Sequence, residues 1–406
     1  MQDIVLIRIS GEDRPGLLAG LCEAMAQNDV EILDVGQSVI YDSLNLGMLI
    51  RIPPEAEHAP VLKDILFKTH ELGVSCKLTP ISKEHYAQWA DTQGRRRHIV
   101  TLLGRRIVAA QVQALAEILT RHGLNIEVVT RLSHPASLHA AANQPARACV
   151  ELKVSGAPAD PAALKREFLA VAGGLGVDIA FQEDNAFRRN RRLVAFDMDS
   201  TLVAGELIDE LAREAGKAEE VAAITAAAMR GELDFKASLR KRLSLLKGLP
   251  EACLPEVAAR IPLNEGAERL IATLKSLGYT IAIISGGFTY FGNHLKEMLG
   301  VDYVFANELE IRDGQLTGEV VGEIVDAERK AFLLKTIAAQ EKISLQQVVA
   351  VGDGANDLPM LNLAGLGIAF HAKPKVKEGA RQAISTLGLD SILYLLGLRD
   401  QDAPTA

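Results

Sequence analysis

The sequence predicts an α/β protein: a parallel-sheet core carrying a helical insertion, preceded by two α+β modules of βαββαβ order. Three observations predict it. From Leu193 onward, short apolar runs ending in acidic or small residues alternate with helical segments, the pattern of a parallel sheet covered on both faces. Residues 205–260, rich in Ala, Leu and charge, read as helices alone. Before Leu193, one order of strands and helices occurs twice. The 406 residues suit two or three domains of roughly 100–200 residues each.

The first module begins with Ile4 to Ile9, which alternates apolar and polar residues as a half-buried strand does. A turn, Gly11 to Gly16, follows. Pro15 suits the start of a helix and Asp13 is a candidate cap. Leu17, Leu18, Leu21 and Met25 then recur at helical spacing. Extended runs at Val30–Ile40 and Leu44–Ile52, a helix near Pro60–Leu72 and a strand at Gly73–Leu78 complete the module.

The second copy runs from strand His98–Leu103 through Gly104 into a helix near Ala109–His122. Strands near Ile126–Leu132 and Ala148–Val154, a helix near Pro161–Ala172 and a strand near Val177–Gln182 follow. Ser82–Arg97, which holds Trp89 and the run Arg95 to Arg97, reads as a polar linker. A second basic run spans Arg188–Arg192. Both runs read as solvated linkers or as partners in a buried inter-domain ion pair, because the chain as a whole is acidic. Boundaries are expected at 1–82, 96–184 and 192–400, with the insertion at about 205–262.

Forty-four basic and 52 acidic residues leave a net charge of −8, which argues against a nucleic-acid coat protein. Hydrophobic residues at 48% and charged residues at 24% exclude a disordered chain. No uncharged apolar run approaches the roughly 18 residues that span a membrane. The first residues, MQDIVLIRIS, show no basic n-region or small-residue cleavage site, so no secretory signal is expected. Cys22, Cys76, Cys149 and Cys253 form no CxxC pair and read as reduced, buried thiols. The expected compartment is the cytoplasm.

The strongest chemical signal is Phe196-Asp197-Met198-Asp199-Ser200-Thr201-Leu202. Two carboxylates at a strand end are costly unless a cation or a substrate answers them. Asp197 can ligate a hard cation such as Mg²⁺, or attack phosphorus to form an aspartyl-phosphate. Asp199 can give a proton to the leaving oxygen and later take one from water. Ser285, Gly286 and Gly287 end the next strand, where a hydroxyl and close-approaching backbone N–H groups suit an anion. Lys330 can balance phosphate and carboxylate charge. In Gly352-Asp353-Gly354-Ala355-Asn356-Asp357 a strand again ends in carboxylates. A dinucleotide loop would need a third glycine and would not place acids there, so a metal site fits better.

The order DxDST, SGG, Lys and GDGxND resembles the haloacid dehalogenase superfamily of phosphatases. Within it, AFDMDSTLV, ELIDELAREAG, SLRKRLSLLKGLP, ISGGF, FAN, GDGAND and FHAKP are similar to the members that act on phosphoserine. The resemblance covers roughly half the chain. It implies a Rossmann-like core with a small helical cap, Mg²⁺ as cofactor, and hydrolysis of O-phospho-L-serine. A phosphotransferase that passes the group to another hydroxyl amino acid, such as homoserine, is the alternative. By resemblance Asp197 is the nucleophile and Asp199 the acid/base. Asp197, the backbone carbonyl of Asp199 and Asp353 hold the metal. Ser285, Gly286, Gly287, Lys330 and Asn356 meet the substrate, and Asp357 supports the site. In the cap, Glu206 matches the group that meets the substrate ammonium. Arg242 matches the one that meets its carboxylate, with Arg240 a near-neighbour rival; Met229 and Phe235 match apolar residues beside the pocket.

The N-terminal copies resemble ACT domains, which are ferredoxin-like and often bind amino acids. GEDRPGLLAGL in the first copy matches well, whereas LLGRRIVAAQV in the second lacks the Asp-x-Pro-Gly turn. The resemblance implies a homodimer formed through these modules. It leaves open whether they also bind an amino-acid effector such as serine, with Asp13, Gly16 and Gly104 lining the pocket.

Overall fold

The computed structural model describes residues 3–54, 58–135 and 146–402. The chain divides into two compact units, Met1–Arg95 and Arg96–Ala406.

The first unit runs β1 (Asp3–Glu12), α1 (Leu17–Ala26), β2 (Glu31–Ile40), β3 (Ser43–Ile52), α2 (His58–Glu71), β4 (Ser75–Ile81) and α3 (Lys83–Thr92). Its four strands form an antiparallel sheet in the order β2-β3-β1-β4. Period two decides which face is covered: Leu44, Leu46, Met48, Ile50 and Ile52 of β3 are all buried, beneath Leu17, Leu21 and Met25 of α1 and Val61 and Ile65 of α2. Two expectations need correction here. Asp13 does not cap α1; Gly16 holds that place at φ 93, where glycine is at ease, and the Asp13 N–H instead donates to the Asp42 carbonyl. The supposed polar linker is helical, because Ser82 accepts from the His85 N–H at 3.2 Å and starts α3.

The second unit opens with the repeat: β5 (Arg97–Gly104), α4 (Ala109–Arg121), β6 (Asn125–Arg131), β7 (Ala148–Ser155), α5 (Pro161–Leu175) and β8 (Asp178–Glu183). The sheet order β6-β7-β5-β8 repeats that of the first unit, strand for strand. The core follows, as β9 (Leu193–Phe196), α6 (Leu207–Glu214), α7 (Ala218–Met229), α8 (Phe235–Ser244), α9 (Cys253–Arg260), α10 (Ala267–Ser276), β10 (Thr280–Phe288) and α11 (Thr289–Leu299). It continues with β11 (Tyr303–Arg312), β12 (Gln315–Val321), α12 (Ala327–Gln340), β13 (Val348–Gly352), α13 (Leu358–Leu363), β14 (Leu366–Phe370), α14 (Pro374–Gly379), β15 (Gln382–Ile384) and α15 (Ile392–Leu395). The seven strands pair in the order β12-β11-β10-β9-β13-β14-β15, with only β11 and β12 antiparallel.

Strand β9 is central and wholly buried. Val194 and Phe196 face one apolar cluster, Leu193 and Ala195 the other. That two-sided burial is why the strand reads as a continuous apolar run. The β11–β12 hairpin was not anticipated, although Asp313-Gly314, both at positive φ, is a two-residue hairpin turn.

The second four-stranded sheet is tied to the core by buried polar contacts. The Asp178 carboxylate accepts from the N–H groups of Ser385 and Thr386, both at 2.8 Å, and from the Thr386 hydroxyl at 2.6 Å. The Gln382 side chain pairs with both the N–H and the carbonyl of Phe181. Arg188 is buried against Glu151 at 2.5 Å, so part of the second basic run is a buried ion pair while Arg189 and Arg192 are solvated. All four cysteines are free, but only Cys149 is fully buried. Among the described residues no helix is long and apolar enough to cross a membrane. Replacing Asp178 by Ala strands those N–H donors at the seam. It is expected to cost about 2–3 kcal/mol, read as a lowered urea midpoint.

Candidate active site

Parallel strands deliver their carboxyl-end loops to one edge of a sheet. Asp197 follows β9, Ser285 lies in β10, and Asp353 follows β13, a direct neighbour of β9. Lys330 comes from the first turns of α12. Its ammonium is fully buried, 2.9 Å from Asp197 Oδ1 and 2.6 Å from Asp357 Oδ1. Burial alone would lower its proton affinity, but Asp197 and Asp357 more than reverse that and hold it above the ordinary lysine value.

Asp197, Asp353 and Asp357 offer carboxylate oxygens within 4.8 Å of one another. The structure thus places Asp357, expected only to support the site, inside the acidic cluster. Burial, then Asp197 and Asp357, push Asp353 up to about 8. Burial and Asp197 push Asp357 up to about 7. Asp353 has a weak partner in the Thr201 hydroxyl at 3.4 Å. Three oxygen donors with one ammonium between them fit a hard divalent cation.

Asp199 accepts from the Leu207 N–H at 2.9 Å. Burial, Glu206 and Asp197 hold its carboxyl well above the usual range. A methyl group on Gly287 would collide with Asp199 Oδ2 and Met198, and one on Gly286 would meet Phe235 Cζ at 2.8 Å. Both glycines are therefore close-approach positions. The Ser285 hydroxyl is buried and accepts from the Gly287 N–H at 2.9 Å. Asn356 lies against Gly354.

The insertion, α6 to α9, is joined to the core by two chain passages that run side by side, since Val203 bridges Leu263. Glu206 opens α6, exposed, and accepts from the Ser200 hydroxyl at 2.9 Å. On α8, Arg242 is half-buried while Arg240 is exposed. Arg242 Nε has no hydrogen-bond partner among the described residues, and burial lowers its proton affinity against the pull of Glu206, Asp209 and Asp199. Of the two arginines, Arg242 is the more buried and has Glu206, Asp209 and Asp199 acting on it. Phe235 reaches the site, but Met229 is 67% exposed and touches Lys373, its sulfur 3.2 Å from the ammonium. Lys236 and Asp326 form a second contact from the insertion to the core, at 2.8 Å.

The N-terminal candidates fare differently. Asp13 and Gly16 are exposed at the β1–α1 turn. Gly104 is buried at the end of β5, where a side chain would meet Val177 and the Arg106 carbonyl.

A haloacid dehalogenase-like hydrolase domain is matched over residues 194–362. ACT domains are matched over 3–91 and 96–182. A phosphoserine phosphatase of Streptomyces coelicolor is 43% identical over 99% of this chain and 94% of its own length. The chain belongs to the phosphoserine phosphatase family. Phosphoserine phosphatase SerB2 of Mycobacterium tuberculosis is 40% identical over 97% of this chain and 93% of its own. The crystal structure of a haloacid dehalogenase family hydrolase from Salmonella enterica serovar Typhi superposes with a TM-score of 0.63 at 34% identity, covering 74% of this chain and 98% of that one.

Three side chains that hold this family site together escaped the sequence reading. Thr201 reaches Asp353. Asn264 donates to the carbonyls of Ser200, Thr201 and Val203. Asn307 donates to the Gly286 carbonyl at 2.7 Å and accepts from the Val325 N–H at 2.8 Å. Thr201, as the last letter of DxDST, and Asn307, as the last letter of FAN, had a signal but no role; Asn264 had neither. Gly287→Ala should displace Asp199 and cut turnover by about 100-fold with the circular-dichroism spectrum unchanged; an alanine variant of wild-type rate would show that the pocket yields there.

Proposed function

We propose that the chain hydrolyses O-phospho-L-serine to serine and phosphate, in the cytoplasm, with the candidate residues in the roles their resemblance implies. The observation that carries the reading is the set of buried Asp197, Lys330 and Asp357 with half-buried Asp353 beyond the strand ends, in a chain of this family. Asp197, Asp353 and Asp357, with the Asp199 backbone carbonyl, would hold Mg²⁺, which when bound supplies positive charge to the phosphoryl oxygens.

The protein's own groups then divide the chemistry. A carboxylate oxygen of Asp197 attacks phosphorus in line as the bond to the serine oxygen breaks. Lys330 orients Asp197 and offsets the charge that gathers on the phosphoryl group. Ser285 and the backbone N–H groups of Gly286 and Gly287 bind phosphoryl oxygens, beside Asn356. Asp199 gives its proton to the departing serine oxygen. It then takes one from the water that attacks the aspartyl-phosphate, which restores Asp197 and releases phosphate. The insertion excludes water in the first half. Its contacts at Lys236–Asp326 and Met229–Lys373 are consistent with a closed position.

Glu206 faces the substrate ammonium and Arg242 its carboxylate, the demand that a zwitterionic head group makes. The relatives are named phosphatases, which favours water over homoserine as acceptor. Self-association of the ACT domains is supported by the edge strand β2, whose Ile32, Val35, Val39 and Ile40 are exposed beside Tyr41 at 96%. The exposed Asp13 and Gly16 support a serine site in the first ACT domain better than the buried Gly104 supports one in the second.

Purified enzyme is expected to release phosphate from phosphoserine, to stop in EDTA and to recover with added Mg²⁺. Asp197→Asn should keep less than about a tenth of kcat, a loss above roughly 1.4 kcal/mol; a fully active variant would remove Asp197 as nucleophile. Arg242→Ala should lower kcat/KM on phosphoserine by about 10- to 100-fold. It should do far less on phosphoethanolamine, which lacks the carboxylate, and Arg240→Ala should spare both. Equal losses on the two esters would refute the carboxylate role.

A further inference from the structure

Glu206 is exposed at the start of α6. A solvated glutamate samples many rotamers, and fixing it during binding weakens whatever it recognises. Here the carboxylate is already held. Its Oε1 accepts from the Ser200 hydroxyl at 2.9 Å.

The donor is itself unusually fixed. Ser200 stands at φ 55 and ψ 0, the left-handed region that a non-glycine residue keeps only when its surroundings impose it. Its N–H donates to the Gly205 carbonyl at 2.9 Å. Its carbonyl accepts from Asn264 at 3.3 Å, and the same amide holds Thr201 at 2.8 Å and Val203 at 3.2 Å. Asn264 sits on the return passage from cap to core, where its own N–H donates to the Leu202 carbonyl at 2.9 Å. The loop between Asp199 and Glu206 is thus closed on itself, and the Ser200 hydroxyl projects from it to Glu206.

We infer that Ser200 is a positioning residue for substrate selection: its hydroxyl presets the Glu206 carboxylate for a substrate ammonium. This rests on the reading that Glu206 meets that ammonium. Ser200 touches no reacting atom, so its effect falls on KM for ammonium-bearing substrates more than on kcat.

The test compares phosphoserine with 3-phosphonooxypropionate, which keeps the carboxylate and the phosphate but has no ammonium. Ser200→Ala is expected to raise KM for phosphoserine about three- to tenfold, and to lower the preference for phosphoserine over the ammonium-free ester by a similar factor. Ser200→Gly, which tolerates positive φ, should do the same and guards against a loop that the alanine has distorted. In a Glu206→Ala background, Ser200→Ala should change KM by less than about twofold, because the partner it acts through is gone. Equal losses on both esters, or the same loss with and without Glu206, would overturn the inference. So would variants that keep the wild-type preference. A wild-type enzyme with no preference for the ammonium-bearing ester would instead overturn the underlying reading of Glu206, and that result is seen before any variant is made.

Discussion

Lys330 carries its charge into the protein interior, where Asp197 and Asp357 meet it at 2.9 and 2.6 Å. A buried ammonium is tolerable only with such partners, and removing one partner from a buried pair typically costs about 3–5 kcal/mol. The arrangement fixes Asp197 in one orientation and joins β9 to the loop after β13. It also leaves an imbalance. Asp353 stands within the same cluster, where among the described residues a hydroxyl at 3.4 Å is its one side-chain hydrogen-bond donor. The lysine is enough to hold the carboxylates together and not enough to neutralise them, which is the condition a cation-dependent site needs.

The helix that supplies Lys330 is positioned by one neighbouring residue with two tasks. Asp326 caps α12 by accepting from the Arg329 N–H at 2.9 Å. Its other oxygen meets Lys236 of the cap at 2.8 Å. The start of the helix that carries Lys330 and the seat of the insertion therefore share a carboxylate. Asn307 adds a cross-tie between the Gly286 carbonyl and Val325, directly before that cap. The carboxyl end of β10 and the helix that carries Lys330 are held in register by this one side chain.

The strands of the core, the helical insertion and the repeated βαββαβ order were legible because burial imposes periodicity. Two-sided burial makes continuous apolar runs such as Leu193 to Phe196, and one-sided burial makes the alternation of Ile4 to Ile9. Asp197, Asp199 and Asp353 were legible as candidates because acids at the ends of apolar strands are costly without a purpose, whereas Lys330, Glu206 and Arg242 stood out through the family resemblance. What escaped was set by tertiary geometry. Asn264 and Thr201 are ordinary polar residues until the fold brings carbonyls and a carboxylate to them. Asp13 looks like a cap, but the turn ends at Gly16, whose positive φ starts the helix instead. Met229 has the right chemistry for a pocket wall, yet the end of α7 leaves it largely in solvent.

The second ACT domain does not hang from the core by a tether. Asp178, Gln382 and the Arg188–Glu151 pair bury polar groups along the seam, and such groups need each other because neither half could leave without exposing unpaired donors. One further contact brings the domain close to the chemistry. Arg105, in the β5–α4 turn, grips Glu265 through two hydrogen bonds of 2.7 and 2.6 Å. Glu265 is adjacent in the chain to Asn264, whose amide holds the carbonyls of Ser200, Thr201 and Val203. The turn that stands in place of the Asp-x-Pro-Gly loop in this copy buries Gly104 and carries the arginine that holds Glu265, next to Asn264. Divergence between the two copies is therefore physical as well as literal: one keeps an exposed turn, and the other uses the same turn as a brace.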